Sequence, residues 1–200
     1  MNKKVLATVC AILAGAFSVS AQGGSCFGKD VNIAQIGLGV GTNLGSSLNS
    51  LMAVGPVATY ERGVHDLVSV GGTMSFATKT EEYGGNILFP IYSRYVVRYT
   101  EIPITARGAF HPFNLPVLAD KVPVRDKVDV YAGLAMGFRI YTAKYESGGY
   151  DEKISTDAVD RFRFSAIIGG RYFFTEKFAA YLEETGGSHG IINFGASMKF

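Results

Sequence analysis

Cysteine is nearly missing from this 200-residue chain, with Cys10 and Cys26 its only two. Cys10 falls in an N-terminal segment that reads as an export signal, so Cys26 is the one cysteine expected after processing and an intramolecular disulfide is excluded. Long apolar runs are scarce as well. Beyond the N-terminus none approaches the ~20 residues a membrane-crossing helix needs, although 48% of the residues are hydrophobic and mean hydropathy is +0.18. Net charge is also small. Removing residues 1–21 takes away Lys3 and Lys4 and leaves 17 basic against 17 acidic residues, a balance without the electrostatic footprint of a nucleic-acid binder.

The start of the chain has the parts of an export signal. Lys3 and Lys4 are basic, Val5 to Phe17 is apolar but too short to span, and Val19-Ser20-Ala21 offers small residues for cleavage before Gln22. Residues 22–30 then read as a linker. Gly23-Gly24-Ser25 lacks the apolar residue expected three positions before a lipid-bearing cysteine, so Cys26 reads as an ordinary linker residue.

What remains is alternation. In the final stretch Phe200, Met198, Ala196, Phe194 and Ile192 share one face of a strand, and Lys199, Ser197, Gly195 and Asn193 the other. The same pattern predicts strands over about 31–40, 53–63, 67–77, 92–110, 128–144, 161–174 and 178–184, making eight with the last. Pro103 lacks a ladder donor, so a bulge or kink is expected there. Polar loops are expected at 41–51, 78–86 and 145–160, and a long connection with Pro112, Pro116 and Pro123 over 111–127. The Gly37-Leu38-Gly39-Val40-Gly41 run fails as a dinucleotide loop, because Thr42 or Leu44 takes the third glycine's place. It suits a small-residue stripe on a crowded inner wall.

Alternation alone serves a membrane barrel or, turned inside out, a secreted ligand-binding barrel. The export signal, the terminal Phe200 and the small residues on the polar face favour the membrane form. So do aromatics near the apolar strand ends: Tyr60, Phe110, Tyr172, Phe174, Phe178 and Phe200 at one rim, Phe76, Phe138 and Phe162 at the other. The predicted fold class is all-β: an eight-stranded antiparallel up-and-down transmembrane β-barrel over residues 31–200.

Tyr60-Glu61, Glu101-Ile102-Pro103, Asp129-Val130-Tyr131-Ala132-Gly133, Gly169-Gly170-Arg171-Tyr172-Phe173-Phe174 and the Phe200 ending carry a resemblance. Residues 31–200 resemble the small outer-membrane β-barrel ("porin family") proteins of Gram-negative bacteria, akin to OmpX and the OmpA membrane domain. The resemblance implies residence in the cell outer membrane as a monomer, contact with outer-membrane lipid and lipopolysaccharide, and handling by the barrel-assembly machinery. It also implies that Phe194, Met198 and Phe200 form the C-terminal assembly signal.

The polar face carries Glu61, Glu101, Asp129 and Glu183 against Arg107, Arg139, Arg161, Arg163, Arg171 and Lys199. In an eight-stranded barrel the interior is just filled by side chains, so these charges must pair. A polar plug is expected, with a structural or surface-interaction role falling to the outer loops. A narrow channel for small solutes is the alternative. An enzyme acting on outer-leaflet lipid would need a relay near the outer rim, where Ser188 and His189 are adjacent and point to opposite faces. The acidic loop residues do not match a calcium loop, and the reading includes no catalytic residue, metal or cofactor.

Overall fold

A computed structural model of the chain describes residues 25–41, 54–83, 95–119, 121–147, 155–186 and 192–200. Its strands are β1 Asn32–Val40, β2 Val54–His65, β3 Val68–Ser75, β4 Ala77–Tyr83, β5 Tyr95–Phe110, β6 Val128–Ser147, β7 Ser155–Phe173, β8 Phe178–Thr185 and β9 Ile192–Lys199. All pairings are antiparallel between neighbours, and β1 also pairs with β9, from Ile33 opposite Lys199 to Val40 opposite Ile192. Since β3 joins both β2 and β5, the sheet closes on itself. β3 and β4 are two halves of one stave against β5, so the ring is an eight-stranded up-and-down barrel.

Proline explains the break between those halves. β3 pairs as far as Met74 opposite Ile104, and β4 resumes at Ala77 opposite Glu101 in the same register. The gap falls beside Pro103, which has no N–H to give. No residue is inserted there, so the expected bulge is instead a short lapse in one ladder; the Phe76 N–H bonds the Pro56 carbonyl at 3.0 Å. The ladder with β6 runs through Pro103 opposite Arg139 without interruption.

The alternation decides which face is which. Ile36, Tyr60, Met74, Leu134, Phe164, Tyr172 and Leu182 are exposed on the outside, while Glu61, Arg107, Asp129, Arg171 and Glu183 are buried within. This is the reverse of a carrier barrel with an apolar interior. Every member of the two expected sets of rim aromatics except the half-buried Phe200 is exposed on the outside, with Phe138 edge-on to Phe162 at 5.7 Å and Tyr60 at 6.4 Å from Phe200.

Two expected loops are shorter than the sequence pattern suggests. β4 takes residues 78–83 from the loop expected at 78–86, and β6 and β7 take 145–147 and 155–160 from the one expected at 145–160. These extensions are polar on both faces, as in Thr78-Lys79-Thr80-Glu81-Glu82, so no apolar alternation marks them as strand. β5, β6 and β7 have 16, 20 and 19 residues, whereas β1, β8 and β9 have 9, 8 and 8. Tyr92 and the expected loop at 41–51, apart from Gly41, lie outside the described residues.

The opposite end, the base, is closed by chain rather than by strands. The 111–127 connection forms a 3-10 turn at Pro112–Asn114 and a single helical turn at Pro116–Ala119. Against it packs a strap, residues 25–30, that the sequence suggests is only a linker. Cys26 and Phe27 are buried with Ile33, Phe173 and Ala179. The strap is tied down by Cys26 N–H to the Arg125 carbonyl at 3.1 Å, Asn114 Nδ2 to the Phe27 carbonyl at 3.0 Å and Lys29 N–H to Asp66 Oδ1 at 2.9 Å. It turns into β1 at Asp30, whose φ of 65° lies in the left-handed region that Asp tolerates better than most residues.

Candidate functional site

Five of the charged residues singled out from the sequence meet in the lumen. Glu61 on β2, Arg107 on β5, Asp129 on β6, Arg171 on β7 and Glu183 on β8 each sit at an inward position of the alternation and together cross the barrel. Arg107 grips Glu183 with both terminal nitrogens, at 3.2 and 2.6 Å, and its Nε lies 2.8 Å from Glu61 Oε1 as an ion pair. Arg171 bridges Glu61 Oε2 at 2.7 Å and Asp129 Oδ2 at 2.8 Å. Two guanidiniums thus face three carboxylates.

Neutral donors complete the set. The Tyr131 hydroxyl donates to Glu183 Oε2 at 2.8 Å, and the Arg171 guanidinium lies 4.2 Å from the centre of the Tyr131 ring. Room for that ring comes from Gly169 on the neighbouring strand, where a Cβ would stand 2.6 Å from ring atoms. His111 Nδ1 is 2.7 Å from Asp129 Oδ1, and its Nε2 is 3.1 Å from the Ser69 hydroxyl. Each carboxylate therefore has two partners, which is how buried charge is tolerated.

The other sequence-derived residues lie apart from this cluster. Glu101 accepts from Arg139 at 3.3 Å, and the Arg139 guanidinium is 5.7 Å from the Tyr141 ring. Arg163 is half-buried at an inward position of β7. Lys199 Nζ lies 5.3 Å from the Phe173 ring, while the side chain of Arg161 falls outside the described residues. Phe194 is exposed on the outer face, Met198 and Phe200 are half-buried, and the Phe200 backbone exchanges hydrogen bonds of 3.0 and 3.1 Å with Asn32. Ser188 and His189, weighed as a relay, lie outside the described residues.

Sequence reasoning missed Ser69, His111 and Phe27. Parity would have found the first two, because Ser69 lies on the polar face of its strand and His111 follows the outward Phe110. Phe27 gave no such signal. Its ring stacks on His111 with centroids 3.5 Å apart and planes 7° from parallel, so the strap lies directly over the imidazole.

Cys26 is sealed in the same plug, with Sγ 3.1 Å from the Arg125 carbonyl. Burial, reinforced by Asp129, pushes its thiol from 9.0 up to about 12. A neutral thiol is therefore favoured when docked. Strap docking should be indifferent to pH below about 9 and weaken as pH rises towards 12, where the released thiol ionises first. Maleimide should label Cys26 of the folded protein at pH 7.5 at least tenfold more slowly than the unfolded chain. Equal rates would show the strap to be undocked.

Fold and site together define a small closed antiparallel barrel with an apolar exterior and a charge-filled interior. No family model matches the chain, and neither does any curated protein. Among solved structures it is similar to Ail, the attachment invasion locus protein of Yersinia pestis. In complex with the heparin analogue sucrose octasulfate, Ail shows 12% identity over 85% of this chain and 93% of that one, with a TM-score of 0.46. Ail alone shows 15% identity over 86% and 95%, with a TM-score of 0.44. The N-terminal β-barrel domain of Pseudomonas aeruginosa OprF shows 14% identity over 86% and 99%, with a TM-score of 0.39.

Proposed function

We propose that the protein is an outer-membrane barrel with a filled lumen that acts through the sheet projecting from its tip end. The observation that carries this reading is the uneven wall. Crossing a bilayer takes about 9–11 residues of tilted strand, and β6 and β7 have 20 and 19. Roughly a third of each, beyond Ile140 on β6 and before Phe162 on β7, stands past the apolar belt, joined to the start of β5 and to β4.

That projecting sheet suits binding better than transport. Among the described residues, β7 pairs with β6 alone along 155–165, since the Gly186 N–H reaches the Ala166 carbonyl at 3.0 Å and the ladder with β8 begins at Ile167; β4 likewise pairs with β5 alone. Both edges leave backbone groups able to take up an added strand. The charged cluster meanwhile occupies the lumen where the alternative, a small-solute channel, would need an open path. On this reading lipopolysaccharide surrounds the barrel and the protein is a monomer.

Shortening the β6–β7 hairpin by removing residues 143–156 tests the assignment. The barrel should still fold, shown by a gel mobility that changes only on boiling. Cells displaying the shortened form should lose most of their adherence to protein-coated surfaces relative to cells displaying the full protein. Undiminished adherence with a folded barrel would remove the projecting sheet from the function.

A further inference from the structure

The base of the lumen holds an arrangement that a charge plug alone does not require. Ser69, His111 and Asp129 come from β3, the residue after β5, and β6, and none is more than 2% exposed. Asp129 can only accept through Oδ1, so His111 Nδ1 carries the proton in their 2.7 Å hydrogen bond. In the neutral ring this leaves Nε2 as the acceptor for the Ser69 hydroxyl at 3.1 Å. The order hydroxyl, imidazole, carboxylate is that of an activated nucleophile with its base and an orienting group. Arg171 holds the other oxygen of Asp129 at 2.8 Å, which fixes the carboxylate and with it the ring.

One side chain lies directly over the ring. Phe27 covers the flat of the imidazole, and residues 25–29 of the strap are held by hydrogen bonds to the 111–127 connection and to Asp66, the strap meeting the wall at Asp30, whose N–H bonds the Gly63 carbonyl at 2.8 Å. Displacing Phe27 would uncover His111 from the base without opening any strand pair. We propose that Ser69 is a masked nucleophile, open to acyl or phosphonyl donors once the strap lifts. The class of substrate is a small ester or comparable acyl donor reaching the lumen from the base.

In the step itself Ser69 Oγ attacks the carbonyl carbon and its proton passes to His111 Nε2. The carbon–oxygen bond to the leaving alcohol then breaks, and the alcohol takes that proton, leaving acyl-Ser69. Ser69 lies within a strand paired on both sides, opposite Gly63 and Ala109, so its amide belongs to the sheet and forms no oxyanion cradle. The arrangement therefore supports a single covalent modification rather than rapid turnover. This inference is independent of the role of the projecting sheet.

A fluorophosphonate tests it with purified, folded protein. The Ser69 Oγ–P bond forms, the P–F bond breaks, fluoride departs and the proton goes to His111. Peptide mass spectrometry reads the adduct. Phe27→Ala, and separately a chain lacking residues 25–29, should label at Ser69 at least tenfold faster than the unaltered protein. His111→Ala in either background should reduce that rate by about a hundredfold, the scale of general-base assistance, and Ser69→Ala should abolish the adduct. If neither strap variant folds, prolonged exposure of the full protein with and without His111→Ala gives the same comparison. Labelling of Ser69 no faster than in the urea-unfolded chain, or unchanged by His111→Ala, would overturn the proposal and leave the three residues a structural network.

Discussion

Replacing Arg171 by Leu is expected to destabilise the barrel by about 3–5 kcal/mol, because the change strands two carboxylates in a place water does not reach. Arg171 is 1% exposed and is the common partner of Glu61 and Asp129. Its loss would leave Glu61 with Arg107 alone and Asp129 with His111 alone. The readout is the urea concentration at which unboiled protein loses its folded gel mobility. Adding Glu61→Gln to Arg171→Leu should recover part of the loss, since one uncompensated charge goes with it. Arg139→Leu should cost less, because the Arg139 side chain is partly solvated, at 12% exposure. Equally small effects at positions 139 and 171 would mean that the lumen is wet throughout.

The second large effect belongs to the outside. Leu134 on β6 is 48% exposed and stands opposite Ala166 on one side and Gly108 on the other, midway along the barrel wall. Leu134→Arg should cost about 2–4 kcal/mol if that position meets the middle of a bilayer. On the surface of a water-soluble barrel the same change should stay within about 0.5 kcal/mol. Folding into phospholipid vesicles, compared with folding in detergent and followed by gel mobility against urea, separates these outcomes. Arg at position 144 supplies the control, since Lys144→Arg keeps the charge of an exposed residue on the projecting part of β6.

Much of this architecture is legible in the sequence because a barrel wall separates two solvents at every second residue. Val128 to Ile140 displays the rule without exception, and each of Glu61, Arg107, Asp129, Arg171 and Glu183 faces inward as parity requires. The rule fails where the two sides become alike. β4 and the far ends of β6 and β7 carry polar residues on both faces, so they read as loops and prove to be strand. The strap fails for another reason. Cys26 and Phe27 are held by tertiary contacts to Asn114, Arg125 and His111, and no local periodicity encodes such contacts. The shared lumen cluster was legible as a set of charges, but its pairing was not, because register across five strands decides which guanidinium reaches which carboxylate.

The seam between β1 and β9 has a kinetic consequence. Asn193 meets Gly39 and Lys199 meets Ile33, so the cylinder is sealed by partners separated by about four-fifths of the sequence. Until that last zipper engages, the sheet is an open ribbon with two unsatisfied margins, and neither the Arg171 bridge nor the Arg107 fork has its full complement of neighbours. Joining such distant segments carries a large loop-closure entropy and slows the final step. The molecule should therefore pass through a long-lived unsealed intermediate, in which association with a neighbouring copy competes with its own completion.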